Sequence, residues 1–204
     1  VEIGYPIMLK AAHGGGGKGM RVVENEETLR RVFELTSTEA QAAFGNGAVF
    51  MERFLPSPRH IEVQVAGDAH GNALHFGERD CSMQRRHQKL IEEAPASGLD
   101  PKLRDAIRAA AAQLVAHTGY QTVGTCEFLV QDDEFFFLEV NPRIQVEHPV
   151  TEQVTGVDLV QLQIRLAAGE EMPMTQDEVE LSGHSIEVRV NAEDPWTFLP
   201  SPGR

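Results

Sequence analysis

Residues 136–149 read Phe-Phe-Leu-Glu-Val-Asn-Pro-Arg-Ile-Gln-Val-Glu-His-Pro, a strand that runs into a polar cluster. Side chains alternate across a strand, so Glu139 and Asn141 point the same way. Residues 126–130 and 135–140 flank the polar turn Gln131-Asp132-Asp133-Glu134 and form a hairpin. Pairing Val130 with Phe136 across that turn sets Glu127 opposite Glu139. Like charges facing each other across strands are destabilising unless something neutralises them. A divalent cation held by Glu127, Glu139 and Asn141 removes the penalty, and such hard oxygen ligands suit Mg²⁺ or Mn²⁺. The competing reading turns one glutamate to solvent in a register displaced by one residue.

The remaining pattern is a small lobe followed by a larger one. Residues 5–11 form a buried strand, and residues 20–23 form a second across the run Gly14 to Gly19. Asn25 caps a helix with Glu26 and Glu27 in its first turn. This helix is expected to break near Ser37, end at Phe44 and give way to a strand over residues 48–54. Leu55-Pro56-Ser57-Pro58 is a stiff connection, which divides the chain into a lobe at 1–54 and a lobe at 55–204. In the second lobe, residues 60–65 alternate as a strand with one wet face, and residues 73–78 return as its partner. Asp100-Pro101 starts a helix, with Leu103, Ile107, Ala110, Ala111 and Leu114 on one face. Asp158 caps another, carrying Leu159, Leu162 and Leu166. Residues 184–191 alternate again, with Ile186, Val188 and Val190 opposite Glu187, Arg189 and Asn191. The fold class is α+β, and both chain ends look like cuts in a longer polypeptide.

A formal charge of −13 opposes non-specific nucleic-acid binding. No apolar run approaches the roughly 20 residues that span a bilayer. Cys81 and Cys126 lack metal-type spacing and read as reduced core residues. Lys10, Lys18 and Arg21 form one basic cluster, and Arg85, Arg86 and Lys89 another. Such clusters are either solvated surface charge or the cationic part of a metal–nucleotide site.

Three further segments bear on chemistry. The run Gly14-Gly15-Gly16-Gly17-Lys18-Gly19 leaves backbone N–H groups free to approach an anion. It lacks the Lys-Ser/Thr ending of a Walker loop and lies between two strands, so it reads as a flap over phosphates or as a plain mobile hairpin. In the stretch 79–89, Arg85, His87 and Lys89 share parity, and an extended chain would offer all three to anionic oxygens. Glu147, four residues beyond Arg143 in an irregular segment, is either a general base for a weak acid or half of an exposed ion pair.

Taken in order, Lys10 with Gly14–Gly19, Pro58-Arg59-His60-Ile61-Glu62, the stretch Glu78 to Lys89, the stretch Glu139 to Thr151 and the stretch Glu187 to Pro195 resemble the biotin carboxylases. The resemblance covers essentially the whole chain. It implies an ATP-grasp fold, with a small lid lobe carrying the glycine flap and a larger antiparallel lobe carrying the metal and bicarbonate site. It also implies an ATP-dependent ligase that turns bicarbonate into carboxyphosphate and carboxylates biotin on a carrier. By resemblance, Lys10, Gly15, Gly16, Gly17 and Lys18 hold ATP phosphates, Glu52 and Leu55 flank adenine, and His60, Gln84 and His87 lie near the nucleotide. Glu127, Glu139 and Asn141 bind Mg²⁺ or Mn²⁺. Lys89, Arg143, Gln145 and Val146 hold bicarbonate, Glu147 deprotonates it, and Arg189 stabilises charge on the biotin ureido oxygen. The implied partners are a biotin carboxyl carrier domain and a carboxyltransferase in an oligomeric parent enzyme, with neither nucleic acid nor membrane. The implied location is the cytoplasm, or the mitochondrial matrix in a eukaryote. The family's flanking domains are not within these residues, and another ATP-grasp ligase of the carbamoyl-phosphate type is the alternative.

Overall fold

The structure is a computed structural model, and it describes residues 3–13, 19–201 and 203. The chain divides into two compact units, Val1–Ser57 and Pro58–Arg204. The division falls inside the Pro-Ser-Pro connection, three residues beyond the expected boundary at 54.

The first unit is a three-stranded antiparallel sheet under one helix. Strands β1 (Ile7–Ala11), β2 (Met20–Val23) and β3 (Val49–Arg53) lie in the order β2-β1-β3. Helix α1 (Glu26–Phe44) covers them, and Leu29 and Val32 pack on Ile7, Leu9 and Val23. Asn25 caps α1 by accepting the Thr28 N–H at 2.9 Å. The expected break near Ser37 does not occur. Ser37 Oγ donates to the Gly47 carbonyl at 2.7 Å and Thr38 Oγ1 to the Glu34 carbonyl at 2.8 Å, so both hydroxyls are satisfied without leaving the helix. Gly45, at φ +73°, ends it in the left-handed region.

The second unit is built on six antiparallel strands: β4 (Arg59–Gly67), β5 (Ala73–Arg85), β6 (Gln88–Ala94), β7 (Thr122–Gln131), β8 (Glu134–Asn141) and β9 (Ser185–Val188). Their order is β8-β7-β4-β5-β6-β9. Helix α2 (Pro101–Thr118) begins at Asp100, which accepts the Lys102 and Leu103 N–H groups. It lays Ile107, Ala111 and Val115 against Ile61, Val63, Val65, Cys126, Phe128 and Val130 on one sheet face. Helix α4 (Leu159–Ala167) lays Leu159, Leu162 and Leu166 against Ala66, Leu74, Phe76 and Val123 on the other. Helix α3 (His148–Thr155), not among the elements expected from the sequence, joins that second layer and packs Val150 and Val154 against Ala94. Among the described residues no helix is long and apolar enough to cross a membrane.

With layers on both sides, the expected wet face of β4 is absent. Glu62 and Gln64 are fully buried. One irregularity decides which polar groups join them there. Val65 pairs with His75 but Val63 pairs with Glu78, so β5 carries an extra residue, a bulge at Gly77 with φ +82°. The bulge reverses the alternation of β5. Glu78 turns toward α2 and accepts Arg104 Nε at 2.9 Å and Arg108 Nε at 2.5 Å. Arg79 turns to the opposite face and meets Glu62.

A similar correction applies to the β7–β8 hairpin. Its two-residue tip, Asp132-Asp133 at φ +54° and +61°, pairs Val130 with Phe135 rather than Phe136. An extra residue at Leu138 then restores the offset, and Glu127 does stand opposite Glu139. The tip register was off by one, and the bulge compensates.

Candidate active site

The polar face of the second sheet carries a buried network of ions centred on Lys89. Cross-strand register sets Glu139 opposite Glu127, Glu127 opposite Glu62 and Glu62 opposite Arg79, one row across β8, β7, β4 and β5. Lys89 enters this row from β6. Its Nζ donates to Glu62 Oε2 at 2.5 Å, Glu147 Oε1 at 2.6 Å and Glu127 Oε1 at 2.9 Å, which uses all three ammonium N–H groups. Arg189, just past β9, donates Nε to Glu92 Oε1 at 2.7 Å and a terminal N–H to Glu147 Oε2 at 2.8 Å. Both oxygens of Glu147 therefore face a cation, and the residue is 2 % exposed as the N-terminal flank of α3. Its short distance in sequence from the sheet end at Asn141 is what brings this carboxylate back over the row.

Glu127 is equally confined. Its Oε1 also accepts Asn141 Nδ2 at 2.9 Å and Gln145 Nε2 at 3.1 Å, and its Oε2 lies 3.1 Å from His60 Nε2. Burial alone would raise the pKa of Glu62, but the charges of Arg79 and Lys89 outweigh it and bring the group down to about 2. Burial acts the same way on Glu127, and the His60 and Lys89 contacts outweigh it, again to about 2. Desolvation opposes the charge on Lys89, yet the surrounding carboxylates, Glu62 foremost, hold its pKa above the ordinary 10.5. Cys81 belongs to the same face: its Sγ and oxygens of Glu62 and Glu147 lie within 4.8 Å of one another. Burial pushes the Cys81 thiol well up, so it stays protonated and unreactive.

The sequence-derived residues distribute unevenly around this centre. Lys89, Gln145, Glu147, Arg189, Glu127, Asn141 and His60 converge on it. Glu139 shares the row, but its side chain is exposed, and none of the described hydrogen bonds of the network reaches it. Arg143 is exposed and donates to the Ile144 carbonyl at 3.2 Å, and Val146 is 60 % exposed. The basic stretch is not one extended strand. Arg86 and His87, at φ +51° and +65°, form the tip of the β5–β6 hairpin, and Gln84 pairs with Lys89. The turn resets the parity, so Arg85 and His87 do not share a face with Lys89. His87 stands exposed at the tip, Arg85 is bound to Glu193 at 2.7 Å, and Gln84 donates to the Cys81 carbonyl at 2.8 Å. In the first unit, Lys10 and Glu52 pair across β1 and β3, and Leu55 is buried. Gly15, Gly16, Gly17 and Lys18 lie outside the described residues.

Sequence reasoning passed over Glu62, Arg79, Glu92 and Thr151. The alternation over 60–65 carried the signal for Glu62, since a Glu and a Gln on a nine-residue strand flanked by β-branched residues suit a central, twice-covered position. A signal for Thr151 lay in Pro149, with Val150 and Val154 at helical spacing before Gly156, which marks α3.

Ligand atoms of His60, Glu62 and Glu127 lie within 4.8 Å of one another, and the set expected from the sequence adds Glu139, in backbone register with Glu127, and the amide oxygen of Asn141. This set fits Mg²⁺, a hard ion that prefers carboxylate and carbonyl oxygen. Lys89 shares the neutralisation of Glu127 at 2.9 Å.

The chain matches known proteins along its length. Residues 1–175 match the family described as carbamoyl-phosphate synthase L chain, ATP-binding domain. The biotin carboxylase of Pseudomonas aeruginosa is 56 % identical over 203 residues, which cover all of this chain and 45 % of that protein. A crystal structure of the Campylobacter jejuni biotin carboxylase in a β,γ-ATP complex superposes with a TM-score of 0.92 at 54 % identity, over 97 % of this chain and 44 % of that one. The biotin carboxylase domain dimer of Hydrogenobacter thermophilus 2-oxoglutarate carboxylase, solved with MgADP, ADP and bicarbonate, superposes at 0.90 with 50 % identity, over 97 % of this chain and 44 % of that one. The chain thus spans a little under half the length of these relatives. It has the ATP-grasp fold and belongs to the family of the carbamoyl-phosphate synthase L chain ATP-binding domain, and the relatives it matches include biotin carboxylases and a pyruvate carboxylase subunit.

Proposed function

We propose that this chain is the ATP-grasp core of a biotin carboxylase, which uses ATP and bicarbonate to carboxylate biotin on a carrier domain. The observation that carries the reading is Glu147 held between Lys89 and Arg189 with both oxygens engaged, beside the Glu127–Asn141 end of the sheet. A bicarbonate ion taken up by Lys89, Arg143, Gln145 and the backbone at Val146 would lie against Glu147. That carboxylate accepts the bicarbonate proton, and the freed oxygen attacks the terminal phosphorus of ATP, giving carboxyphosphate and ADP. Arg189 then shifts to the developing negative charge on the biotin ureido oxygen, a form of electrostatic stabilisation that commonly dominates such steps.

Residues 1–54 serve as the lid lobe, in which Lys10, the glycine flap with Lys18, Glu52 and Leu55 just beyond it contribute to ATP binding. Residues 55–204 contribute His60, Gln84 and His87 to the nucleotide, and Glu127, Glu139 and Asn141 to Mg²⁺, with Mn²⁺ as the alternative ion. When bound, the ion neutralises phosphate charge during transfer. The partners are a biotin carboxyl carrier and a carboxyltransferase in an oligomeric, cytoplasmic enzyme.

ATP cleavage by the complete polypeptide tests the proposal. Cleavage is expected to require both bicarbonate and biotin. Cleavage driven by an amine donor without biotin would instead assign the chain to carbamoyl-phosphate chemistry.

A further inference from the structure

Arg79 is the largest fully buried side chain among the described residues, and it touches none of the groups assigned above to ATP. All five of its N–H groups have acceptors. Nε donates to Glu62 Oε1 at 2.7 Å. One terminal nitrogen donates to Gln64 Oε1 at 2.7 Å and Thr151 Oγ1 at 3.0 Å, and the other reaches Thr125 Oγ1 at 3.3 Å and Gln145 Oε1 at 3.5 Å. These acceptors come from β4, β7, α3 and the segment that follows β8.

Two of the five contacts lead straight to the anion site. By holding Glu62 Oε1, Arg79 leaves Oε2 as the acceptor for Lys89 Nζ. By facing Gln145 Oε1, it sets the amide so that Nε2 points to Glu127. Burying a guanidinium is costly, and replacing such an ion pair by apolar packing is often neutral or favourable for stability. Stability alone therefore gives weak reason for a guanidinium here, whereas aiming two anion-binding side chains with one rigid five-donor fork gives a strong one.

We infer that Arg79 is a positioning residue for the bicarbonate site, acting through Glu62 on Lys89 and directly on Gln145. The inference rests on the bicarbonate reading above. In the complete enzyme, Arg79→Lys keeps the charge but loses the fork. It is expected to raise the bicarbonate KM about tenfold or more, as loss of an outer supporting partner typically does, while the ATP KM stays within about twofold. Thr151→Val, nearly isosteric and uncharged, loosens the same guanidinium without touching Lys89, Glu62 or Gln145. It is expected to raise the bicarbonate KM by roughly threefold, a smaller step in the same direction. Equal changes in the two KM values, or a lowered melting temperature with both KM values intact, would overturn the inference. A crystal structure of Arg79→Lys gives an answer that does not depend on turnover. Lys89 or Gln145 displaced from its carboxylate partner supports the role, and both in place removes it. Wild-type enzyme without bicarbonate-dependent ATP cleavage would reject the functional reading, and the crystal structure would still judge Arg79.

Discussion

At the scale of single residues, Glu147 shows how a common side chain becomes a candidate base. Its carboxylate is fixed at both oxygens, by Lys89 at 2.6 Å and Arg189 at 2.8 Å, on a residue that is only 2 % exposed. A held carboxylate needs little reorganisation to receive a proton from an anion placed beside it. Glu147→Gln keeps the size and one acceptor but removes the basic oxygen. It is expected to lower bicarbonate-dependent ATP cleavage by roughly 10² to 10⁴-fold, the range typical of losing a general base, with ATP affinity little changed. Steady-state kinetics beside nucleotide titration calorimetry check both halves, and undiminished turnover would remove Glu147 from the role. The candidate residues themselves were readable because charged types stand out against an alternating apolar pattern. Their states were less readable. The sequence offers Lys89 to anionic oxygens of a ligand as part of a basic stretch, but the fold surrounds it with Glu62, Glu127 and Glu147, residues far from it in sequence.

At the scale of elements, the decisive features are irregularities. Gly77 is the case with the widest consequence, because its bulge directs Glu78 to α2 and Arg79 to the ionic face. Its φ of +82° disfavours any side chain, and an added Cβ would come within 2.4 Å of Leu181 Cδ2. Gly77→Ala is expected to destabilise the protein by about 2 kcal/mol, combining backbone strain with displacement of Leu181. Chemical denaturation measures this, and a loss below a few tenths would show that β5 accommodates the change. The sequence reading found β4, α2, α4 and the β7–β8 hairpin because period-2 and period-3.6 patterns with Asp caps are local signals. It ended β5 seven residues early, at 78 rather than Arg85, and assumed unbroken parity from Arg85 to Lys89. A glycine in a strand hints at a bulge, but only pairing with β4 shows where the alternation reverses.

At the scale of the whole molecule, the ionic face makes stability depend on pH. Glu62 and Glu127 ionise at about 2 in the folded state against an ordinary 4.5. A carboxylate with a depressed folded pKa stabilises the fold fully above its unfolded value and loses that contribution as pH falls through the folded one. The loss is therefore expected between about pH 4.5 and pH 2. Lys89, held above its ordinary 10.5, contributes below that value and loses its share only in strong alkali. Glu92 works the other way, since burial raises it despite Arg189, and its burial disfavours the folded state once it ionises. Buried His75, lowered to about 4 by desolvation, adds a loss that begins as pH falls through 6.5, so the net expectation is a melting temperature that declines gently below about pH 7 and falls by roughly 5 °C or more on going from pH 5 to pH 3. Calorimetric scans across that range check it, and Glu62→Gln should flatten the acid limb.

The sequence by itself determined the class of fold, most strands and helices, the types of residue that carry the chemistry and the family resemblance. These all rest on local periodicity, capping and ordered motifs. Only the tertiary structure decided that the second face of β4 is buried, that Glu127 meets Glu139 through a bulge, and that Arg79 and Lys89 sit amid carboxylates. The reason is physical. A charge's role depends on which opposite charges come within about 3 Å and whether water remains between them, and those neighbours are set by strand pairing across the sheet rather than by adjacency in the chain.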